Sequence, residues 1–501
     1  MSLIKINVLA NLTGGAWTSL LSLIFVPFYL RYLGIEAYGL IGFFGMLMAV
    51  FGLLDLGLGI TLNRGLARLS VQGDRIAEQR DLLRTLEVVY WTLSLAIGAV
   101  ICVGAGPIAA RWVQAQHLSV TTIRSSVRVM GVVAALQFPF ALYQAGLMGL
   151  QRHVLVNAIL VVTGTLRSVG AVLILAFVSR TVEAFFVWQA MVTFLQLGAT
   201  MIATWRALAA RTKPRFRTSM LRDEWRFAAG VSANAIIGVF LTQSDKLLLS
   251  GLLPLDQFGY YALAGTVAAA LWWVIGPINA ALFPRFTQLF ELGDEMRLRD
   301  LYHTACQLVA VTVLPIAGTL AFFSYAVVLT WTRSSATAFA AAPIVTLLVA
   351  GTCLNGLASV PTYLQSAAGW PQLMMYTNLV AGIVFVPVII LMAIHFGAEG
   401  AAAVWVVLNL GYVLVTVPLM HRRLLRGETW RWYRDDVLLP VGAVVAVGAS
   451  ARLMVPANAS RLLLMVFVGS ACAGMAGAAF IASPRARRVF LQTVRRQGTL
   501  T

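Results

Sequence analysis

The sequence predicts an all-α polytopic membrane protein, and its composition and its apolar runs are the observations that predict it. Of its 501 residues, 60% are hydrophobic and only 11% are charged, and the mean hydropathy is +0.84. Soluble domains carry about 25% charged residues. Apolar runs of about 20 residues, enough to cross the hydrocarbon core as a helix, recur along the whole chain. These observations exclude a soluble enzyme, a disordered chain and a β-barrel, whose strands alternate apolar and polar residues.

The apolar runs indicate about fourteen transmembrane helices. They are predicted at 8–30, 38–62, 86–110, 123–149, 154–178, 184–205, 228–252, 260–283, 304–331, 338–366, 373–395, 400–420, 437–455 and 461–482. The run at 123–149 has the weakest signal because it carries Arg124 and Arg128, and the last two runs are short.

Basic residues indicate how the helices are oriented. If the N-terminus is cytoplasmic, 27 of the 37 Lys and Arg residues fall on the cytoplasmic side and 8 fall on the other side. Cytoplasmic loops of membrane proteins carry an excess of Lys and Arg, so both termini are predicted to be cytoplasmic. The net charge of +18 is therefore expected to reflect contact with anionic lipid, and no nucleic-acid partner is predicted.

The chain carries a predicted internal duplication. Seven residues recur at offsets of 220 to 223: Asn11 and Asn234, Gly39 and Gly259, Arg64 and Arg285, Tyr143 and Tyr363, Gly149 and Gly369, Asn157 and Asn378, Arg206 and Arg426. A nearly constant offset across several helix boundaries indicates that the first six helices are repeated. The predicted domains are two six-helix bundles, 1–222 and 223–432, and an extra helix pair with a basic cytoplasmic tail at 433–501.

An even number of helices per repeat gives the two bundles the same orientation in the membrane. Parallel repeats of this kind are typical of transporters that work by alternating access, with the substrate bound in a cavity between the repeats. A structural duplication in a protein that transports nothing is the alternative. The duplicated design is expected to work as a monomer.

Several motifs identify a family. They are Asn11, the run Pro27-Phe28-Tyr29-Leu30-Arg31-Tyr32-Leu33-Gly34, Tyr38-Gly39, the run Leu54-Asp55-Leu56-Gly57-Leu58-Gly59, the run Gln243-Ser244-Asp245-Lys246-Leu247-Leu248-Leu249-Ser250, Phe258-Gly259-Tyr260-Tyr261-Ala262 and Pro284-Arg285. Over most of its length the chain resembles the polysaccharide transporter family, the O-antigen and exopolysaccharide repeat-unit flippases, within the multidrug/oligosaccharidyl-lipid/polysaccharide exporter superfamily. The motifs are made of Gly, Pro, Asp and Tyr at helix ends, so they indicate a family better than a substrate.

The resemblance implies a flippase that moves undecaprenyl-diphosphate-linked oligosaccharide from the cytoplasmic to the periplasmic leaflet of the bacterial inner membrane, for surface polysaccharide biosynthesis. It also implies contact with membrane lipids, with a polysaccharide polymerase and other biosynthesis proteins as candidate partners. No cofactor, metal or enzymatic activity is expected, and the sequence has no Gly-rich phosphate loop ending in Gly-Lys-Ser/Thr. The family leaves the glycan and the coupling ion open.

Arg167 is the first candidate for the chemistry of transport. A lipid-linked sugar has an apolar tail, an anionic diphosphate and a polar glycan, so moving it requires a hydrated, cationic cavity. Inserting a charged residue within a span costs at least about 2.5 kcal/mol, so such a residue is expected to have a function or a partner. Arg167 lies near the middle of span 154–178 with no acidic residue one turn away. It is predicted to bind the diphosphate with bidentate geometry, and the alternative is a pair with a carboxylate of another helix, such as Asp245 or Asp55.

Asp245 and Lys246 are candidates in the span at 228–252. As neighbours in a helix they point about 100° apart, so they do not satisfy each other. Lys246 is a candidate phosphate contact, and Asp245 is a candidate orienting partner or ion-coupling carboxylate. The alternative is an interfacial pair that stabilises the bundle.

Two further candidates lie near a helix kink and a Gly-rich stretch. Arg31 follows Pro27, which can kink the first helix. The resemblance implies a cavity-lining role for an arginine after Pro-x-Tyr-Leu, and the alternative is an interfacial arginine that reaches the headgroups. Asp55 is a candidate for gating or coupling, and the alternative is a capping or packing role.

Three more arginines are candidate contacts for the diphosphate. Arg64 and Arg285, which the duplication relates, are candidates at the cytoplasmic mouth, with positive-inside anchoring as the alternative. Arg128 is a candidate that depends on the span at 123–149.

The last helix pair lies outside the duplication, and the resemblance to the peptidoglycan-precursor flippase implies that it adds a groove for the polyprenyl tail. A peripheral anchor is the alternative.

Two other functions stay open. A drug/cation antiporter of the multidrug extrusion type shares the six-plus-six duplication, although it would need only twelve helices. A major facilitator shares the duplication too, but the loop 63–69 lacks the Gly-x-x-x-Asp-Arg-x-Gly-Arg pattern of that class. A polysaccharide polymerase or ligase also acts on lipid-linked sugar. Such enzymes rely on a sizeable periplasmic loop with catalytic Arg or His, which the short outer loops predicted here do not provide.

Overall fold

The computed structural model describes residues 3–55, 57–72, 75–210, 212–220, 222, 240, 242–455 and 460–498. In these ranges every regular element is a helix, and the chain divides into two compact units, Met1–Gly259 (unit 1) and Tyr260–Thr501 (unit 2). The all-α membrane fold predicted from composition is confirmed. Most of the predicted span 228–252, and the start of the predicted second bundle at 223, lie outside the described residues.

Unit 1 is built from the first eight helices and the start of the ninth. They are α1 (Leu3–Ile24), α2 (Val26–Gly52), a 3-10 turn (Leu53–Asp55), α3 (Leu58–Ser70), α4 (Ile76–Pro107) with a π-helical extension (Ile108–Trp112), α5 (Val120–Gly149), α6 (His153–Phe177), α7 (Val182–Ala207), α8 (242–252) and the first turn of α9 (Leu255–Ala269).

Unit 2 contains the remaining helices. They are the rest of α9, α10 (Trp272–Glu291), α11 (Glu295–Phe322), α12 (Ser324–Thr332), α13 (Ser335–Ala367), α14 (Gln372–Gly411), a π-helical turn (Tyr412–Thr416), α15 (Val417–Leu424), α16 (Thr429–Arg431), a second π-helical stretch (Trp432–Leu438), α17 (Leu439–Leu453), α18 (Arg461–Ile481) and α19 (Pro484–Gly498).

Eleven helical stretches among the described residues are long and apolar enough to cross a membrane. The predicted spans 123–149, 154–178 and 461–482 coincide with α5, α6 and α18 to within a few residues. The count of fourteen and the cytoplasmic termini stay predictions, because the eleven stretches include merged helices and exclude residues outside the described ranges.

The longest stretch, Gln372–Leu424, is a helical hairpin. A straight helix of its 53 residues would be about 80 Å long, far more than the hydrocarbon core of about 30 Å. Gly397 interrupts it with φ 59° and ψ −144°, a conformation that glycine adopts without strain. The Tyr412 hydroxyl donates a 2.8 Å hydrogen bond to Oδ1 of Asn378, so the two arms lie side by side. The predicted division into 373–395 and 400–420 therefore agrees with the structure.

The first two predicted spans are more interrupted than the sequence suggested. Helix α1 ends at a break at Phe25, two residues before Pro27 and inside the predicted span 8–30. Gly34 (φ 82°), which interrupts α2, lies between the predicted spans 8–30 and 38–62 and agrees with their division. The predicted second helix, 38–62, is in fact broken between α2 and α3, where Gly57 adopts φ 72° at the start of α3. A left-handed residue cannot continue an α-helix, so the chain changes direction there.

Side-chain amides hold α1 against α6. Asn7 donates to Gln151, in the turn before α6, at 3.2 Å, and Asn157 on α6 donates to Asn11 at 2.7 Å. A Cβ at Gly14 would overlap the Asn157 side chain, so the glycine permits the close approach. Small residues and interhelical hydrogen bonds are the usual means by which membrane helices associate, because lipid supplies no hydrophobic driving force between them.

Two glycines related by the predicted duplication meet at one helix crossing in unit 1. A Cβ at Gly259 would lie 2.5 Å from the backbone oxygen of Ile35, and a Cβ at Gly39 would overlap the backbone oxygen of Leu255. Each glycine thus faces the carbonyl four residues before the other. The reciprocal contact has the symmetry that a duplicated pair of helices would produce.

Helix α11 lies at the centre of unit 2, where it packs against α10, α13, α17 and α18. A Cβ at Gly318 would approach Val444 and Met475, and one at Gly448 would overlap the Phe322 ring. These two glycines let α17 and α18, the predicted extra helix pair, pack closely on α11.

Candidate functional site

Arg167 lies inside unit 1 with neutral partners. Its guanidinium donates to Oε1 of Gln196 at 2.8 Å and to Oγ1 of Thr193 at 3.3 Å. In the described ranges no carboxylate lies within ion-pair distance of it, and its Nε is buried without a hydrogen-bond partner. The expected alternative, a structural pair with Asp245 or Asp55, is therefore not the arrangement seen; Asp55 is hydrogen-bonded elsewhere.

The partners of Arg167 belong to a polar stripe along α7. Five buried residues spaced three or four apart form it: Gln189, Thr193, Gln196, Thr200 and Thr204. Residues at this spacing share one face of a helix. The threonine hydroxyls donate back to carbonyls one turn earlier, so they present only their oxygen lone pairs to a donor such as the guanidinium.

Asp55 lies in the 3-10 turn between α2 and α3. Oδ1 accepts a short hydrogen bond from the hydroxyl of Tyr90, which is fully buried on α4, and Oδ2 lies 3.4 Å from the backbone nitrogen of Gly59. The carboxylate therefore caps the start of α3 while it joins α3 to α4. This geometry agrees with the capping alternative and leaves the coupling role a prediction.

Asp245 and Lys246 are half-buried on α8. The Lys246 ammonium lies 3.4 Å from Oε1 of Gln243, one turn earlier on the same helix. A neutral amide leaves the positive charge of Lys246 uncancelled at this contact.

The other four predicted arginines have exposed side chains. Arg31 lies over the ring of Tyr32 at 5.9 Å, and Arg285 donates to Gln288 at 3.1 Å on its own helix. Arg64 lies on the exposed face of α3, and Arg128 lies on that of α5. Exposure of this kind fits interfacial anchoring as well as contact with a ligand.

Glu87, a buried carboxylate in unit 1, was not among the predicted site residues. Glu87 accepts a short hydrogen bond from the Tyr143 hydroxyl and a 3.2 Å bond from the Trp205 indole, and it pairs with Arg84 at 2.7 Å. The partners come from α4, α5 and α7, so this carboxylate ties three helices together. Trp205 is 118 positions from Glu87 in sequence, and only the fold brings them together.

A second cluster that the sequence did not reveal lies in unit 2. The two ring nitrogens of His303 contact Asp436, at a short distance, and Glu428, at 3.0 Å. Gln307 donates to Asp436 at 3.0 Å and accepts from the backbone nitrogen of Arg485 at 2.8 Å. His303, Asp436 and Gln307 are each at most 1% exposed. The cluster joins α11 to the π-helical stretch Trp432–Leu438 and to the start of α19.

Apolar grooves lie in both units. One, of about 790 Å³, runs along α6 beside Trp188, lined by residues such as Val162 and Leu173. The other, of about 480 Å³, lies between the arms of the α14 hairpin and includes Leu408. Trp188 and Leu408 are 220 residues apart, the offset of the predicted duplication. Arg167, although it lies between lining residues in sequence, faces α7 and does not line the groove on α6.

The fold is that of a class of membrane transporters. The structure of the lipid II flippase MurJ in an inward closed conformation is 10% identical and matches with a TM-score of 0.68 over 95% of this chain and 98% of that one. An inward-facing multidrug resistance MATE family transporter of the MOP superfamily is 14% identical, with a TM-score of 0.64 over 83% and 94%. The MATE multidrug transporter DinF-BH is 15% identical, with a TM-score of 0.60 over 84% and 95%.

The sequence narrows that class to a family. A family model described as polysaccharide biosynthesis protein matches residues 30–335, more than half of the chain. The chain belongs to this family, and the predicted resemblance to the polysaccharide transporters is confirmed. No curated protein matches the chain in sequence.

Proposed function

We propose that this protein is a flippase that moves a polyprenyl-diphosphate-linked oligosaccharide across the bacterial inner membrane, from the cytoplasmic to the periplasmic leaflet. Transport proceeds by alternating access through a cationic cavity and supplies a surface polysaccharide. The family and the transporter fold support the class of activity, and the charges inside unit 1 support the class of substrate. The substrate itself, the surrounding lipid and a downstream polymerase are the proposed partners.

Arg167 is the observation that carries the proposal. A guanidinium within a spanning helix is retained only where it has a partner or a task, because insertion of the charge is costly. Its neighbours Gln196 and Thr193 are neutral, so they orient the side chain without cancelling its charge. An oriented, uncancelled guanidinium suits a diphosphate, whose oxygens accept two parallel N–H bonds.

The remaining groups divide the tasks of transport. Lys246, whose ammonium contacts the neutral amide of Gln243, is the second proposed phosphate contact. Asp55 and Asp245 are the proposed coupling carboxylates. Arg64 and Arg285 are the proposed diphosphate contacts at the cytoplasmic mouth, Arg31 is proposed to line the cavity, and Arg128 is a further proposed contact. The apolar grooves on α6 and on the α14 hairpin offer hydrocarbon surfaces that an isoprenoid tail could follow.

The test is a flipping assay in proteoliposomes with a fluorescent undecaprenyl-diphosphate oligosaccharide. Arg167→Ala and Lys246→Ala are compared with Arg452→Ala, which removes an exposed arginine near the end of α17. We expect the intact protein and the control to flip the lipid and the first two variants to lose most of the activity. Arg167→Lys keeps the charge but not the bidentate fork, so it should restore only part of the rate.

A drug or cation antiporter is the second candidate, because MATE multidrug transporters share the fold with TM-scores of 0.64 and 0.60. Proteoliposomes loaded with a cationic dye distinguish the two functions. Efflux of the dye without flipping of any lipid-linked glycan would replace the flippase proposal with this one.

A further inference from the structure

Among the described residues of unit 2, one pocket has no charged lining residue. It measures about 110 Å³, room for several water molecules, and lies among α10, α13, the first arm of α14 and the π-helical turn Tyr412–Thr416. Its aromatic rings and its main polar groups belong to Trp272, Asn355, Ser359, Thr362, Tyr363 and Tyr412. Helix α13, which supplies four of them, has no Asp, Glu, Lys or Arg anywhere between Ser335 and Ala367.

The pocket is built where two helices depart from regular geometry. Pro361 lies inside α13, where it removes a backbone hydrogen bond beside Ser359 and Thr362. Tyr412 and Thr416 lie in the five-residue π-helical turn, a feature that is rare and frequently marks functional sites. Irregular backbone at membrane depth is tolerated where it lines a cavity in the protein, which is its position here.

Hydrogen bonds hold the polar side chains around the pocket in place. Asn279 donates to Oγ of Ser359 at 2.9 Å, and the Asn355 amide donates to Oδ1 of Asn409. Tyr412 is oriented by its bond to Asn378. Asn279 is fully buried behind Ser359, and its Oδ1 has no hydrogen-bond partner in the described ranges.

The pocket's chemistry selects among occupants. Three aromatic rings, one amide and several hydroxyls provide apolar faces together with neutral donors and acceptors, and no carboxylate from the described part of the chain lines the cavity. A hard cation prefers carboxylate oxygens, so these walls do not favour one. A pyranose ring presents C–H groups on its faces and hydroxyls around its edge, which matches aromatic faces flanked by amides and hydroxyls.

We propose that this pocket binds a sugar ring of the glycan, as a subsite separate from the diphosphate contacts of unit 1. The inference rests on the proposed flippase function for the identity of its glycan. Trp272, at 38% exposed, is the most exposed of the three rings, since Tyr363 is half-buried and Tyr412 is 8% exposed.

The experiment compares two equally exposed tryptophans. Trp272 lines the pocket, whereas its neighbour Trp273, also 38% exposed, does not. Flipping is measured for Trp272→Ala, Tyr363→Ala and Trp273→Ala with native lipid-linked oligosaccharide, in competition with sugar-free undecaprenyl diphosphate. We expect the first two variants to raise KM about tenfold and to leave inhibition by the sugar-free lipid unchanged, while Trp273→Ala matches the intact protein.

A second measurement separates this inference from the flippase proposal. Binding of the free oligosaccharide to the intact detergent-solubilised protein is followed by saturation-transfer NMR, with the same variants. If the intact protein flips no lipid but binds the sugar in a manner that depends on Trp272, the subsite stands and the proposed function fails. The subsite is overturned if Trp272→Ala binds sugar as well as Trp273→Ala does, or if the pocket variants weaken sugar-free lipid equally.

Discussion

The two units of the molecule place their charges differently. Unit 1 keeps a guanidinium inside a spanning helix, held by the amide of Gln196 and the hydroxyl of Thr193. Unit 2 has a polar interior without charge in α13, and its buried ionisable groups form a cluster around His303 that joins three elements. Unit 1 also contains a paired buried carboxylate, Glu87 with Arg84. The charge of Arg167 is oriented but not cancelled, whereas each partner of the cluster in unit 2 is paired.

This difference teaches which charges can serve a ligand. A buried group that is already paired with an opposite charge holds the fold together, and its removal leaves the partner unsatisfied. A buried group held only by neutral partners adds little to stability, and its charge remains available. Substitutions should therefore separate the two units: changes in the cluster of unit 2 should affect stability, and changes at Arg167 should affect transport.

The largest effect is expected from truncation. Removing residues 433–501 deletes Asp436 and the start of α19, and with them the partners of His303 and Gln307 on α11. We expect no stable folded protein, measured by yield and by size-exclusion profile in detergent. Removing only 494–501 keeps every one of these contacts and serves as the control. A well-folded protein without 433–501 would contradict the structural role of the cluster.

Asp436→Ala tests the same cluster with one substitution. It leaves the His303 imidazole and the Gln307 amide buried without their shared acceptor, so unfolding should become easier by about 1–3 kcal/mol. Thermal unfolding can be followed by the reaction of a thiol dye with Cys306 and Cys353, which are buried in the fold. Asp435→Ala, at a more exposed neighbour that pairs with Arg434 and Arg431 near the surface, should have little effect.

Arg167→Gln should give the opposite result. Because no carboxylate in the described ranges pairs with Arg167, loss of its charge leaves no buried anion uncompensated. The free energy of unfolding should stay within about 1 kcal/mol of the intact protein, while flipping falls about 10- to 100-fold through the lost charge-assisted bonds. A variant that unfolds easily would place Arg167 among the structural residues and remove the contrast between the units.

Gly259→Val probes the helix crossing in unit 1, where charge plays no part. The new side chain would meet the backbone oxygen of Ile35, which cannot move without shifting α2. Overpacking of this kind costs about 1–3 kcal/mol. Gly265→Ala on the same helix has open space around its Cβ and should be neutral in the same unfolding assay. Equal stability of both variants would mean that the helices can separate at this point.

The smallest effect is expected from Tyr412→Phe in unit 2. The substitution removes one hydrogen bond, to Asn378, and keeps the ring. Interhelical hydrogen bonds in membrane proteins contribute about 0.6 kcal/mol on average, so stability should change by about that amount. If the ring lines a sugar subsite, Tyr412→Phe should also bind the free oligosaccharide nearly as well as the intact protein.

Helix positions were largely predictable from the sequence, whereas contacts between helices were not. The runs that became α5, α6 and α18 are uniform and bounded by polar residues, so their ends could be placed closely. The run at 38–62 is equally apolar, but Gly57 adopts a left-handed conformation and divides it. Apolar periodicity does not report backbone direction, and a glycine is only a weak sign of a break.

The candidate site shows the same limit. The sequence identified Arg167 from the cost of its charge, but its neutral partners on α7 depend on how two helices are rotated against each other. The cluster of His303, Glu428 and Asp436 was missed because these residues are separated by up to 133 positions. Each of them lies near a segment end, where polar residues are ordinary and give no signal.

The separation of His303 from Asp436 has a consequence for how the protein is made. A ribosome that adds about 5–20 residues per second needs roughly 7 to 27 s to proceed from one to the other. During that interval α11 has entered the membrane with an imidazole that lacks its acceptor. Until the chain has been made as far as Asp436, α11 cannot complete its packing, so an interrupted chain would expose this helix end to the proteases and chaperones that survey nascent membrane proteins.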